Sequence, residues 1–238
     1  MKSKIFGYGE IGKSLAEVYH LNGIDIAWKD LNDSHGDDDC ELLNVCIPFG
    51  NKLEYFGNSV LVEIKNSGAK YVVIHSTVAP GTTSEIQKRT NAIICHSPVI
   101  GVHPNLKVSL ITFTKWFGGG CPEIIGHFRE LGMIPKMLDK PEATEIMKLW
   151  DTTYYGMCLA INAEVTEMLE KYDVPYENWV EYLKEYNNGY MKMNKANVQR
   201  PYFNTLSMPI GGHCVVPNYE ILCNYIDKDL LKLIKKRS

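Results

Sequence analysis

Ile5-Phe6-Gly7-Tyr8-Gly9-Glu10-Ile11-Gly12 is the stretch whose reading decides the fold. A short apolar run leads straight into Gly-x-Gly-x-x-Gly, and an amphipathic segment, residues 11–22, follows. In a strand–turn–helix each glycine has a physical task. The first makes the tight turn, the second lets the backbone approach a pyrophosphate, and the third lets the helix pack on the strand. The helix N-terminus then faces the phosphates with its partial positive charge. A second run, 24–29, ends at Asp30, 18 residues past Gly12. An acid there accepts from a ribose 2′-hydroxyl and repels a 2′-phosphate. No arginine lies near it, so NAD is expected over NADP. Gly7, Gly9, Glu10, Ile11, Gly12 and Asp30 are the candidate cofactor residues, joined by Pro48 and Thr77 just past later strands. Glu10 suits a phosphate site only if its side chain points to solvent.

Outward from this motif, short apolar runs alternate with amphipathic stretches, the pattern of an α/β fold with a parallel sheet. Candidate strands are 3–6, 24–29, 42–47, 70–75, 92–95 and 110–117. Leu43–Ile47 and Tyr71–His75 are near-continuous runs, as expected of strands covered on both faces. A helical pattern at 52–67 stops at Gly68, and residues 31–41 are polar and short. From about residue 142 the spacing changes to threes and fours and implies one long helix, roughly 28 residues and about 40 Å. A second helix at 176–186, a mixed loop at 187–210 and a helix at about 217–236 follow. The expected architecture is a Rossmann-type doubly wound parallel sheet over 1–140. A small all-α domain with one long central helix follows over 141–238.

Composition narrows the function. A net charge of −3 argues against a nucleic-acid binder. The basic cluster Lys232, Lys235, Lys236 and Arg237 reads as a solvated helix end. Seven cysteines form no CxxC pair, no apolar stretch approaches a membrane span, and the chain starts with no room for a signal peptide before the glycine motif. A reduced, cytoplasmic protein that binds neither nucleic acid nor membrane is expected. No histidine spacing supports a metal.

Three further motifs follow the glycine loop in order: Ser76-Thr-Val-Ala-Pro-Gly-Thr-Thr83, Glu145-Ile-Met-Lys148-Leu-Trp-Asp-Thr-Thr-Tyr-Tyr155 and Gly211-Gly212-His213-Cys214. In this order the chain resembles the UDP-glucose/GDP-mannose dehydrogenase family over that family's first two domains. The family's third domain, which holds much of the nucleotide-sugar site, has no counterpart in the roughly 24 residues after Cys214. The resemblance implies oxidation of an alcohol through an aldehyde to an acid with two NAD reduced. Cys214 matches the nucleophile that captures the aldehyde as a thiohemiacetal, which suits a thiolate-forming group beside the nicotinamide. Lys148 matches the lysine that steadies a developing oxyanion, and Thr77 the threonine that orders water.

The departures are as specific. The family's asparagine four residues past the lysine is Thr152 here, its aspartate four past the cysteine is Asn218, and its two acids after Ser97-Pro98 are Val99 and His103. Without these acids, proton transfer and water activation lose their usual agents. Thr152, Asn162, Gly211, Gly212 and Asn218 are the candidate substrate residues. Lys148, Thr152, Tyr155 and Asn162 share a helix stripe opposite the apolar one. The substrate expected is a small molecule, possibly a nucleotide sugar. The alternative is a non-catalytic NAD-binding protein or partner subunit. In the family the long helix forms a dimer core, so a homodimer through residues 142–171, using Trp150 and Tyr154, is expected.

Overall fold

The computed structural model describes residues 1–50, 52–101, 105–204, 210, 212–226 and 235, with nothing described of the side chains at 212–214. The chain divides into two compact units, Met1–Lys148 and Leu149–Ser238.

The first unit is built on an eight-stranded sheet. Its elements in chain order are β1 (Ser3–Phe6), α1 (Glu10–Leu21), β2 (Ala27–Lys29), β3 (Ser34–His35), β4 (Leu42–Val45), α2 (Leu53–Ser67) and β5 (Tyr71–Ile74). They continue with α3 (Thr82–Gln87), β6 (Ile93–His96), α4 (Leu106–Thr112), β7 (Thr114–Gly119), α5 (Pro122–Glu130) and β8 (Ile134–Leu138). The spatial order is β3-β2-β1-β4-β5-β6-β7-β8. Strands β2, β1, β4, β5 and β6 run parallel, and β3 and β7 are antiparallel to β2 and β6. This is the Rossmann-type sheet, mostly parallel rather than wholly so. The chain order reverses at β1, and ligands of such sheets bind past the carboxyl ends of the strands at that crevice.

Local chemistry explains the departures from the sequence reading. Residues 110–117 are expected to form one strand, since Leu110–Thr114 is apolar and β-branched. Leu106, Ser109 and Leu110 are the buried ones, a helical spacing, so α4 forms and β7 starts only at Thr114. Strand β8 carries Pro135 and stays on the sheet edge, where a missing N–H is tolerated. The polar 31–41 segment forms only the two-residue β3 and then ties itself down by charge. Lys2 pairs with Asp37 at 3.0 Å, and Lys4 with Asp38 at 2.7 Å. Lys4 is itself buried within the apolar β1, and its second partner is the buried Glu63 of α2 at 2.8 Å. The other Glu63 oxygen takes Lys29 at 2.7 Å. The core on the α1 side of the sheet gathers Ile5, Leu15, Tyr19, Val73, Phe117, Ile124 and Phe128.

The described part of the second unit is helical. Helix α6 spans Pro141–Lys171, 31 residues, and the division between the units falls inside it. Helix α7 runs Tyr176–Lys192, past the expected stop at 186. A mixed loop is expected from residue 187. Asn187 instead spends its amide on the returning chain, accepting from Arg200 N–H at 2.9 Å and donating to Arg200 O at 2.8 Å. A 3-10 turn at Ala196–Val198 follows, then α8 at Gly212–Leu222, which starts five residues before the expected position and contains Pro217. Most of the basic C-terminal cluster lies outside the described residues. No helix among the described residues is long and apolar enough to cross a membrane.

Candidate functional site

The glycine loop is sterically exacting at its ends and open at its middle. Gly7 has φ +101°, and a Cβ there would lie 2.7 Å from the Cys46 carbonyl carbon at the end of β4. A Cβ on Gly12 would lie 2.1 Å from Gly7 O, so α1 packs on β1 only through a glycine. Gly9, which caps α1, would meet nothing within 4 Å. The loop is therefore held by its first and third glycines and leaves space over the second, as a backbone cradle for a pyrophosphate requires. Glu10 is exposed and Ile11 half-buried against the core. Asp30, at the end of β2, is joined to this loop. Its carboxylate accepts from Tyr8 N–H at 3.2 Å and from Leu31 N–H at 2.9 Å. The Tyr8 ring stacks on Trp28, 4.0 Å between centroids and 7° between planes, which clamps the loop to β2. Pro48 is exposed past β4, with Phe49 buried behind it.

The next strand ends carry a repeated His-Ser pair, His75-Ser76 after β5 and His96-Ser97 at the end of β6. His96 Nδ1 lies 2.8 Å from Thr144 Oγ1, and its Nε2 3.1 Å from Ser76 O. Burial pushes its pKa down to about 3, helped by the charges of Lys115 and Lys148. Helix α6 approaches this edge because Gly118 has no side chain. A Cβ there would lie 2.5 Å from Thr144 Oγ1 and 2.7 Å from Pro141 Cα. One residue on, the buried Glu145 carboxylate accepts from Gly81 N–H at 2.6 Å, Thr83 N–H at 2.9 Å and Thr83 Oγ1–H at 2.7 Å. Burial raises its pKa, against these bonds. Glu142 accepts from Ser84 Oγ at 2.5 Å. The first turns of α6 are thus stitched to the loop that carries the half-buried Thr77. Lys148 sits on the same helix, half-buried, three residues past Glu145.

A second lysine belongs to this edge. Lys115 of β7 is buried, and its Nζ donates to Ser97 O at 2.5 Å and Pro98 O at 3.0 Å, with His75 Nδ1 at 3.1 Å. Burial lowers its pKa to about 7, with the Lys148 charge adding to the effect. His75 Nε2 lies 3.0 Å from Asn44 Oδ1, and burial holds its pKa well below the usual imidazole range. Val99, where the resemblance calls for an acid, is part of the apolar core.

In the second unit, Asn218 is buried and donates through Nδ2 to Thr152 Oγ1 at 2.9 Å. Asn162 is buried and accepts from Tyr176 Oη at 2.9 Å. Gly212 begins α8. Gly211, His103 and the Cys214 side chain lie outside the described residues. Among the described residues no group of three or more His, Cys, Asp or Glu side chains could hold a metal ion.

Sequence reading missed Glu145, Lys115, His75 and His96. Glu145 lies three residues before Lys148 and hence on the same helix face. Lys115 breaks an otherwise buried strand, and the two His-Ser pairs end adjacent strands. These positions could be noticed in the sequence, but the backbone groups that give them their roles could not.

No protein-family model matches the chain, and no curated protein matches its sequence. Solved structures match it in fold. A UDP-D-ManNAc dehydrogenase from Pyrococcus horikoshii superposes with TM-score 0.79 at 16% identity, covering 99% of this chain and 68% of that one. A UDP-glucose dehydrogenase from Pyrobaculum islandicum gives 0.74 at 14% identity, covering 99% and 67%. A Mycobacterium tuberculosis 3-hydroxyisobutyrate dehydrogenase gives 0.64 at 12% identity, covering 99% and 86%. The chain therefore spans about two thirds of the length of the two nucleotide-sugar dehydrogenases and shares the fold of all three.

Proposed function

We propose that this chain is an NAD-dependent oxidoreductase of the nucleotide-sugar dehydrogenase type, which oxidises the alcohol of a sugar or smaller substrate. The observation that carries the reading is the glycine loop. Its end glycines are sterically obligatory, its middle glycine faces open space, and the Asp30 carboxylate stands at its shoulder. These residues fit a dinucleotide: the Gly9 backbone for the pyrophosphate, and Asp30 for an unphosphorylated ribose. The bound nicotinamide would supply the hydride acceptor. Lys148 is assigned to the substrate oxygen, whose developing negative charge a fixed cation stabilises. Thr77 orients water, and Cys214 captures the aldehyde. Thr152, Asn162, Gly211, Gly212 and Asn218 are assigned to substrate binding, and 141–238 is read as the substrate and dimerisation domain, in a soluble, cytoplasmic protein. The test is to follow NADH formation with NAD and a panel of UDP-sugars and small hydroxy compounds. Turnover that survives Cys214→Ala would remove the thiohemiacetal route. A chain that binds neither NAD nor NADH in a calorimeter would remove the dinucleotide reading.

A second reading, a non-catalytic NAD-binding partner, is favoured by the Thr152–Asn218 hydrogen bond. Both positions have left the family pattern and now satisfy each other without a carboxylate. Tight NAD binding without turnover on any substrate selects it. For the homodimer the support is a stripe on α6: Tyr154, Ile161 and Met168, seven residues apart, are each more than half exposed, whereas Trp150 is half-buried. Sedimentation as a single 27.0 kDa species would exclude it.

A further inference from the structure

We propose that Lys115 is a positioning residue of this site: as an ammonium it clamps the carbonyl oxygens of Ser97 and Pro98 and so fixes the chain leaving β6. The inference rests on the reading above, which places the reaction at this sheet edge.

A chain of hydrogen bonds fixes the protons. Asn44 donates through Nδ2 to Lys4 O at 3.3 Å and Tyr19 Oη at 3.4 Å, which turns its Oδ1 toward His75. With Nε2 donating to Asn44 Oδ1, Nδ1 is left as an acceptor 3.1 Å from Lys115 Nζ, and its 3.0 Å approach to Ser97 O is a contact of two acceptors that the same ammonium bridges. Lys115 then has three acceptors for three donors, the inventory of an ammonium and not of a neutral amine. Beyond the clamp, Gly101 packs so closely on α4 that a Cβ there would lie 2.4 Å from Ser109 Cβ. Residues 97–101 are thus held at one end by a charge and at the other by close contact.

Opposing this arrangement, Lys115 is buried and the charge beside it, that of Lys148, is unfavourable. The titratable groups around Lys115 among the described residues are Cys46 at the end of β4, His75 after β5, Cys95 and His96 on β6, and Lys148 on α6. No carboxylate is among them. Burial lowers the lysine to about 7, so the clamp loses its proton, and one of its three donations, close to neutral pH. The loop is then expected to be fixed on the acid side of neutrality and loosened on the alkaline side.

The chain contains one Ser-Pro dipeptide, Ser97-Pro98, so carbonyl-¹³C serine with ¹⁵N proline marks that peptide bond alone. Its carbonyl shift is expected to move in a single step between about pH 6 and 9 in the native chain. It should show no such step in Lys115→Arg, which stays charged, or in Lys115→Gln, which keeps a donor without a titrating proton. NADH affinity, measured by fluorescence titration, should weaken up to about tenfold across the same step, the size of one lost charge-assisted bond, and stay flat in both variants. A carbonyl that does not titrate, or titrates alike in the variants, overturns the clamp. A titrating carbonyl with pH-independent NADH affinity overturns its role at the site. Absence of NADH binding at every pH sinks the dinucleotide reading instead, and leaves the carbonyl titration to decide the clamp.

Discussion

Acid should unfold this protein early, because three histidines are buried as neutral imidazoles. His96 lies between Thr144 and Ser76 with its pKa lowered to about 3, and His127 lies against Ser3 and Tyr19 with its pKa lowered to about 4. His75 is held well below its ordinary value by burial and by the Lys115 charge. In each case the unfolded state takes up its proton first, near pH 6.5, so stability is intact above that value and lost as pH falls below it. At about pH 5.5 His96 and His127 each withdraw about 1.4 kcal/mol, roughly 3 kcal/mol together, and His75 acts in the same direction. At about pH 4.5 these two alone withdraw about 5 kcal/mol, already within the usual range of a whole domain's stability. Lys115 adds nothing to this slope, since folded and unfolded states both hold its proton well below pH 7. The raised carboxyl of Glu145 opposes it by at most one proton. Urea unfolding followed by tryptophan fluorescence at several pH values measures the slope, and carbon-proton spectra of the imidazoles assign it. A midpoint that stays constant between about pH 7.5 and 5, or His96 titrating near 6.5, would refute the reasoning.

Three other outcomes are expected. Gly9→Ala should fold with its melting temperature nearly unchanged, since its Cβ meets nothing, yet bind NADH at least about tenfold more weakly by crowding the pyrophosphate; Gly12→Ala should lose several kcal/mol of stability in urea unfolding. Glu145→Gln should cost about 2–3 kcal/mol in the same assay, because an amide cannot accept all three bonds that the carboxylate takes from Gly81 and Thr83. Lys4→Met should cost about 3 kcal/mol or more by leaving the buried Glu63 with Lys29 alone, and Lys4→Met with Glu63→Leu should recover much of it.

The parts of the fold that were legible are those where one local rule decides the outcome. The glycine loop, α1, β1, β4, β5 and the long helix follow from steric demand or sustained periodicity, and each forms within a few residues of its expected bounds. The parts that escaped are decided by tertiary contacts. Leu106–Thr112 has strand-forming residues but a helical buried face, and β8 has a proline that only a sheet edge admits. Helix α7 continues through Asn187 because that side chain has a partner 13 residues away. At the site the same division holds. The glycines and Asp30 are readable from spacing. Glu145, Lys115 and the paired histidines are not, since what defines them is the backbone amide or carbonyl each one meets.

This division bears on how the departures from the family pattern are weighed. Taken one position at a time, Thr152, Asn218 and Val99 look like independent losses, of an asparagine at the first position and of acids at the other two. In the molecule they differ in kind. Val99 is embedded in apolar core, where an ionised carboxylate would need a partner, and Lys115, which bonds the carbonyl of the preceding Pro98, is committed to backbone carbonyls and His75. Thr152 and Asn218 instead form one hydrogen-bonded unit, so the two changes support each other. An aspartate restored at 218 alone would be a buried carboxylate whose neighbour among the described residues, Thr152, offers one hydroxyl, an arrangement that favours its protonated, uncharged form. On the proposed reading the cation assigned to a developing oxyanion is Lys148, and a fixed positive charge suits stabilising that oxygen better than activating water. A single hydride transfer needs only the first of these. Hydrolysis of a thioester needs the second.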